Sequence, residues 1–182
     1  MILGLDVSTT CTGLAVIDKS GKMVETYSVD TKKQEMFENH YSRASLVLAY
    51  LKKIKREHNI EHVFIEDKLM VFMDGKSKAK TLSTLAFYNG IISWICFDTF
   101  NLNPVHINPI SARSRVLGKI VRDGKDPKKR VIEYILDNEP SFVVSYTRQG
   151  NYAAGVSDMA DALVIAKAGL SILREGEEKE KE

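Results

Sequence analysis

The stretch ILGLDVSTTCTGLAVID at residues 2–18 decides the fold. Its apolar runs at 2–5 and 12–17 flank a turn of small polar residues, and a second turn leads into an alternating run at 23–29. Short runs of this kind, separated by turn residues, are typical of strands joined by hairpins. The sequence therefore predicts an antiparallel meander of three strands, with Asp6 at the end of the first strand.

Beyond the meander, helical and extended patterns alternate along the chain. Helix starts are marked by Asn108 and Asp126, each followed by proline, and by Ser157 as an N-cap. The order βββαβαβααα predicts an α/β fold, in which helices flank a mixed sheet. The predicted elements after the meander are a helix at 34–58, a strand at 63–66, a helix at 79–97, a strand at 104–107, and helices at 109–117, from 127 and at 158–174.

The bulk composition indicates a single globular domain. The 182 residues are 44% hydrophobic and 27% charged, with a formal net charge of +2, which excludes wholesale disorder. We expect one domain at 1–174 and a disordered acidic tail at 175–182. Cys11 and Cys96 are too few for a disulfide framework or a thiolate zinc site, and no apolar run reaches the roughly 20 residues of a membrane span. We expect a cytoplasmic protein, in the host cytoplasm if its source is viral.

Acidic residues interrupt the apolar pattern where a charge is costly. Asp6 and Glu66 each end a buried strand, and Asp158 and Asp161 share one face at the start of the last helix. That pair alone could be ordinary partners of the helix dipole. Carboxylates that converge from separate segments, however, repel one another unless divalent cations neutralise them. Hard oxygen ligands suit Mg²⁺ or Mn²⁺, and a pair of such ions would support hydrolysis of a phosphodiester.

Three of these motifs resemble the RuvC family of Holliday-junction resolvases, within the RNase H-like superfamily. The opening at 2–18, HVFIED at 62–67 and above all SDMADALVIAKAG at 157–169 resemble the family's catalytic motifs in order and spacing. The resemblance implies an RNase H-like fold and a homodimer that makes paired nicks across a four-way DNA junction with Mg²⁺. The family's usual Pro-Gly after the first Asp is Val7-Ser8 here, which leaves the shape of that turn open. The implied metal ligands and catalytic residues are Asp6, Glu66, Asp158 and Asp161.

A basic segment is the candidate DNA-binding surface. The stretches INPISARSRVLGK at 107–119 and DPKKRV at 126–131 resemble the family's DNA-contacting segment. We expect contacts to the phosphate backbone rather than to bases, with a solvated surface loop as the alternative. The family also places an aromatic wedge after the catalytic Glu, for which Phe72 is the candidate, with Leu69 or a plain core role as alternatives. The candidate DNA contacts are Arg113, Arg115, Lys119, Lys125, Lys128 and Phe72.

The helix pattern at 79–97, together with the family resemblance, predicts a homodimer interface. Its apolar residues cover more than one face, and Ala86 and Gly90 are small enough to allow close approach of a partner. Deep burial within the monomer is the alternative. The apolar residues are Leu82, Leu85, Ala86, Ile91, Ile92 and Ile95.

Functions of other classes also fit parts of the sequence. The stretch DVSTTCTGLA at 6–15 resembles the phosphate loop of sugar-kinase and actin-like ATPases, but those proteins need two such domains and no second glycine-rich phosphate segment follows here. A non-catalytic DNA-junction-binding module of the same fold is another alternative, as is a broader flap or branch nuclease. The presence of all the expected carboxylates favours an endonuclease that needs no nucleotide cofactor.

Overall fold

The computed structural model describes residues 1–32, 36–67, 79–118 and 126–179. Within these ranges the elements follow the predicted order, which confirms the α/β assignment. None of the described helices is long and apolar enough to span a membrane. The elements are β1 (Ile2–Asp6), β2 (Cys11–Ile17), β3 (Met23–Asp30), α1 (His40–Glu57), β4 (His62–Glu66), α2 (Ala79–Phe100), β5 (Val105–Ile107), α3 (Pro109–Leu117), α4 (Pro127–Asn138) and α5 (Val156–Lys179).

Local capping chemistry explains where three of the helices begin. α1 starts at His40, later than predicted, because the Asn39 side chain accepts hydrogen bonds from the first turn and Ser42 accepts one from the Asn39 N–H. This reciprocal capping satisfies backbone donors that have no partner within the helix. Asn108 and Asp126 cap α3 and α4 as predicted.

The start of α5 differs from the prediction. The helix begins at Val156, so Ser157 lies inside it rather than at its N-cap. The N–H of Met159 instead donates to the carbonyl of Gly155 at 3.0 Å. Gly155 has a φ of +87°, in the left-handed region that favours glycine. The predicted cap was wrong because the turn at Gly155 depends on packing that the local sequence does not specify.

The end of α5 also lies beyond the predicted boundary. The helix continues to Lys179, so residues 175–179, predicted as part of a disordered tail, are helical. The Arg115 guanidinium on α3 contacts both Glu175 and, at 3.1 Å, Ser171. These contacts attach the last turns of α5 to the domain.

The described strands form one mixed sheet in the order β3-β2-β1-β4-β5. β1, β2 and β3 pair antiparallel as the predicted meander, and β4 and β5 add in parallel. Leu5 on β1 lies opposite Ile65 on β4. The carboxyl ends of these two strands therefore meet at the same edge of the sheet, where Asp6 and Glu66 are the next residues.

Alternation along β1 separates two hydrophobic cores. Leu3, Leu5 and Val7 pack with residues of α1 and α2 on one face of the sheet. Ile2 packs on the opposite face with residues of α4 and α5. Because successive side chains of a strand point to opposite faces, Asp6 shares the face of Ile2 and α5.

Glycines let α5 lie directly on the backbone of β1 and β2. A Cβ atom at Gly4 would be 2.6 Å from the backbone nitrogen of Ala166. A Cβ atom at Gly13 would be 2.9 Å from the backbone nitrogen of Met159 and closer still to the carbonyl of Asp158. The first turn of α5 is therefore held against the first hairpin with no side chain between them.

We expect Gly13→Ala to destabilise the protein by about 1–3 kcal/mol, because the added methyl group overpacks a backbone contact. Gly176→Ala is the matched control, since Gly176 lies on the same helix with nothing within 4 Å of its Cβ position. Alanine there should raise stability by up to about 1 kcal/mol. Urea unfolding followed by circular dichroism measures both changes. If the urea midpoint of Gly13→Ala were at or above that of the wild type, the close packing of α5 on Gly13 would be contradicted.

Candidate active site

Asp6 is held on the α5 face of the sheet by its position in the first hairpin. It lies opposite Gly13 in the β1–β2 ladder, and directly opposed residues of antiparallel strands point to the same face. Since the Cβ direction of Gly13 points at the backbone of Asp158, the Asp6 side chain also points toward the start of α5. Asp6 is only 7% exposed, so its charge needs a compensating partner.

Glu66 reaches the same place from the neighbouring strand. It follows Phe64 by two residues, and Phe64 belongs to the core beneath α5, so the two side chains share a face. The Glu66 backbone carbonyl accepts a hydrogen bond of 3.0 Å from the Asn89 side chain on α2, which fixes the end of β4. Adjacent strand backbones lie about 5 Å apart, which makes Asp6 and Glu66 close neighbours.

Asp158 and Asp161 complete the acidic group from the first turns of α5. Asp161 is only 4% exposed, and Asp158 is half-buried. Burial raises the pKa of the Asp161 carboxyl, the nearby Arg113 opposes that rise, and the charge of Glu66 adds to it. Asp161 and Glu66 therefore act on one another electrostatically. The structure thus brings all the predicted carboxylates to one edge of the sheet.

The spacing of these carboxylates is wider than that of ligands around one ion. Among the described residues, no three of them bring their oxygens within 4.8 Å of one another. Arg113 donates to Oδ1 of Asp161 from Nη2 at 2.9 Å and from Nε at 3.3 Å. The possible metal ligands are carboxylate oxygens that are partly shielded from water. Such oxygens suit a hard divalent cation. In this structure Arg113 supplies positive charge to Asp161.

The predicted DNA-contacting residues differ in their surroundings: some form ion pairs, one is exposed near the carboxylates, and others lie outside the described residues. Arg113 faces Asp161, and Arg115 pairs with Glu175 at the far end of α5. Lys128 is exposed at the start of α4, and its charge lowers the pKa of Asp161, so it lies on the side of the carboxylates. Lys119, Lys125, Leu69 and Phe72 lie outside the described residues.

The cap of α4 uses one of the backbone donors at the start of that helix. The Asp126 carboxylate accepts the backbone N–H of Lys128 at 3.0 Å. That N–H, which could have bound an anion, is already used by the cap. The exposed side chains of Lys128 and Lys129 remain available to an anion.

The sequence analysis did not predict a contact that Cys11 makes with the acidic residues. The Cys11 thiol is half-buried, lies 3.2 Å from the Ser28 hydroxyl and interacts with Asp158. Burial raises its pKa to about 12, and the charge of Asp158 adds to the rise, so the group stays a neutral thiol. It borders a cleft of about 250 Å³ that also contains Lys32 and Asp158. A lone cysteine in a strand gives no sequence signal for such a contact.

A second polar cluster lies on the edge strand, away from the predicted site. This cluster consists of Glu25, Glu57 and His58, whose metal-ligating atoms all lie within 4.8 Å of one another. In the described part of the chain, no other group of three such residues meets this distance. His58 Nε2 is 2.8 Å from Glu25, and Lys53 lies 3.8 Å from Glu57. Because Lys53 already pairs with Glu57 and His58 with Glu25, we interpret this cluster as an attachment of the end of α1 to β3.

The fold is similar to those of solved resolvase structures. Thermus thermophilus RuvC in complex with a Holliday junction substrate has a TM-score of 0.63 at 16% identity, covering 96% of this chain and 95% of that one. The Thermus thermophilus RuvC structure has a TM-score of 0.63 at 18% identity, covering 96% of each chain. The yeast mitochondrial Holliday junction resolvase Ydc2 has a TM-score of 0.58 at 12% identity, covering 93% of this chain and 77% of that one. No protein-family model matches the sequence, and no curated protein matches it. The similarity shows a RuvC-type, RNase H-like fold, as predicted.

We expect Arg113→Gln to destabilise the metal-free protein by about 1–3 kcal/mol, because Asp161 would lose its charged partner. Added Mg²⁺ should reduce this loss, since a cation held by the carboxylates would replace the missing positive charge. Urea unfolding in EDTA and in Mg²⁺ measures the difference.

The matched control for this measurement is Arg115→Gln, on the same helix. Its partner Glu175 has a side chain that is 52% exposed, so the loss should stay below about 1 kcal/mol and should not respond to Mg²⁺. An equal loss for Arg113→Gln with and without Mg²⁺ would count against a cation site at Asp161.

Proposed function

We propose that this chain is a divalent-metal-dependent endonuclease of the RuvC type that resolves Holliday junctions, and that it also cleaves other branched DNA. The observation that carries this proposal is the convergence of Asp6, Glu66, Asp158 and Asp161, from three separate segments, at one edge of a RuvC-type sheet. A purely structural role would not require so many carboxylates on one partly desolvated face.

Asp6, Glu66, Asp158 and Asp161 would hold the metal, with Mg²⁺ as the expected ion, Mn²⁺ as the alternative, and a pair of ions in each site. When bound, such ions lower the pKa of water and stabilise the charge that develops on a phosphodiester during in-line displacement. Gly13 and Gly4 hold the Asp residues of α5 against Asp6 by close backbone packing. Arg113, once released from Asp161, is placed to contact a phosphate oxygen.

The start of α4 would supply positive charge for the DNA backbone. Lys128 and Lys129 are exposed on its first turn, and Lys128 is close enough to influence Asp161 electrostatically. Cations in this position neutralise phosphates without reading sequence. Any preference for a cleavage sequence would therefore come from other residues.

An apolar groove between α1 and α2 supports the homodimer that paired nicks require. The groove has a volume of about 610 Å³, and its rim includes Tyr41, Phe87 and Trp94. Trp94 is 64% exposed, which is costly unless another surface covers it. Of the residues predicted for the interface, Ile92 is fully buried in the core of the monomer, and Ile95 is mostly buried there but also lines the groove. The exposed residues of α2 are the better candidates for contact with a second copy.

A non-catalytic junction-binding module is the second candidate function. The observation that favours it is the Arg113 guanidinium on Asp161, which occupies an oxygen that a metal would use. Both functions share the fold and the basic start of α4. Metal-dependent nicking distinguishes them, because the binding module would hold junctions and leave every strand intact.

We expect Asp6→Asn, Glu66→Gln and Asp161→Asn each to lower the rate of junction nicking by at least about 10²-fold, because each removes an anionic ligand of the metal ions that would stabilise the charge on the reacting phosphate. Junction binding and the fold should be nearly unchanged. Metal-free stability should hold or rise for Asp6→Asn and Glu66→Gln as carboxylate repulsion is relieved, whereas Asp161→Asn also removes the partner of Arg113. The assay maps nicks on mobile four-way junctions, flaps and plain duplex with and without Mg²⁺.

Asp137→Asn is the control for these variants, since Asp137 is exposed on α4. It should nick at the wild-type rate. Full activity in any two of the site variants would refute the assigned site, while binding without nicking by the wild type would favour the non-catalytic module.

We expect Trp94→Glu to weaken dimerisation by about 30-fold or more, the effect of losing an aromatic anchor worth about 2 kcal/mol at an interface. Sedimentation equilibrium measures the dissociation constant. Val143→Glu is the matched control, because Val143 is 81% exposed and lies away from the α1–α2 groove. A wild type that is monomeric at micromolar concentration and still makes paired nicks would contradict the dimer.

A further inference from the structure

The connection between α4 and α5 contains a small hairpin at residues 145–153, here the tyrosine hairpin. Tyr146 and Tyr152 form its antiparallel bridge. The N–H of Ala153 donates to the Ser145 carbonyl at 2.9 Å, and that of Gly150 donates to the Thr147 carbonyl at 3.0 Å to close the turn. The hairpin is therefore a built structure rather than an irregular loop.

The two tyrosines of the hairpin differ in exposure. Their rings stack with centroids 5.4 Å apart and an interplanar angle of 30°. Tyr152 is half-buried and packs against the α5-side core, whereas Tyr146 is 58% exposed. Because Tyr152 covers one face of the Tyr146 ring, the other face is the one that solvent reaches. A ring held in this way is a rigid platform for a flat partner.

The hairpin lies close to α4 and to the start of α5. The charge of Glu133 on α4 helps raise the pKa of Tyr152, which places the hairpin beside that helix, one turn from Lys129 and Arg130. Just beyond the hairpin, Gly155 packs against β2 and β3 and borders the cleft that contains Asp158. The hairpin therefore adjoins both α4 and the cleft of Asp158.

The charge of the hairpin suits a nucleic acid. Its sequence, SYTRQGNYA, contains Arg148 and no acidic residue. Arg148 is exposed at the turn, and no carboxylate pairs with it among the residues that the structure describes. An exposed aromatic ring next to an exposed cation is the combination by which proteins bind unpaired nucleotides, through base stacking and phosphate contact.

We propose that the tyrosine hairpin binds an unstacked nucleobase at the branch point of DNA, with Tyr146 stacked on the base and Arg148 on a neighbouring phosphate. This inference rests on the proposed function, because it takes branched DNA as the ligand. Base pairs inside a continuous duplex are already stacked, so they cannot use the Tyr146 ring. The hairpin would therefore contribute to the preference for branched over plain DNA.

The test titrates the full-length chain, in EDTA to prevent cleavage, against four-way junctions that carry 2-aminopurine beside the branch point. Tyr146→Leu keeps an apolar side chain over Tyr152 but removes the aromatic face. We expect it to weaken junction binding by about 5- to 150-fold, the range for loss of one stacked base, and to abolish the 2-aminopurine response. Its affinity for plain duplex should be unchanged.

Matched variants separate stacking from folding. Tyr146→Phe keeps the ring and should bind within about twofold of the wild type, as should Val143→Ala, a change at an exposed apolar residue just outside the hairpin. Arg148→Gln should reduce the slope of log affinity against log salt by about 0.9, the contribution of one phosphate contact on duplex DNA. Thermal melting of each variant reports whether the domain itself is intact.

Wild-type junction binding in the Tyr146→Leu variant would overturn the hairpin proposal and leave the proposed function standing. Equal losses on junction and duplex would overturn it too, because stacking at a branch point requires a selective loss. A wild-type chain that fails to bind branched DNA would instead overturn the proposed function, and this inference with it.

Discussion

The close approach of α5 to the first hairpin is the constraint on which the rest of the structure depends. Gly4 and Gly13 leave no side chain between the helix backbone and the sheet, so direct backbone packing fixes the position of the first turn. That turn carries Asp158, and Asp161 follows one turn later. A wider separation, such as side chains at these positions would require, would move both carboxylates away from Asp6 and Glu66.

The same contact creates an electrostatic cost that the protein must offset. Burial disfavours the charge of Asp161 and Glu66 adds repulsion, while Arg113 opposes both effects. From α3, Arg113 pairs with Asp161 near the start of α5, and Arg115 pairs with Glu175 near the end of α5. α3 therefore fixes the long helix by ion pairs at two distant points. Under the proposed function, a divalent cation held by these carboxylates would offset that cost and so couple folding to metal binding.

Most of the fold could be predicted from the sequence, because strand alternation and helix spacing are local signals. The placement of the acidic residues was also predictable, since Asp6 and Glu66 end strands that parallel pairing brings to one edge. Three features could not be predicted: the pairing of Arg113 with Asp161, the contact of Cys11 with Asp158, and the start of α5 at Val156. Each of these depends on which surfaces meet in three dimensions, and no nearby residue specifies that.

One face of the sheet carries an apolar core and the other carries the acidic site. The alternation of side chains along β1 determines which face is which. Leu3, Leu5 and Val7 give the α1–α2 face an apolar core, and the apolar groove with Trp94 lies on the outside of that layer. The opposite face carries Ile2, Gly4 and Asp6. There α5 packs closely on Gly4, Asp6 belongs to the group of carboxylates, and the tyrosine hairpin lies beyond that group. Because side chains alternate strictly, a slip of one residue in the β1–β2 register would exchange these sets and bury Leu5 where Asp6 now lies. The pairing of Asp6 with Gly13 is therefore both a packing requirement and the condition under which the acidic edge can form.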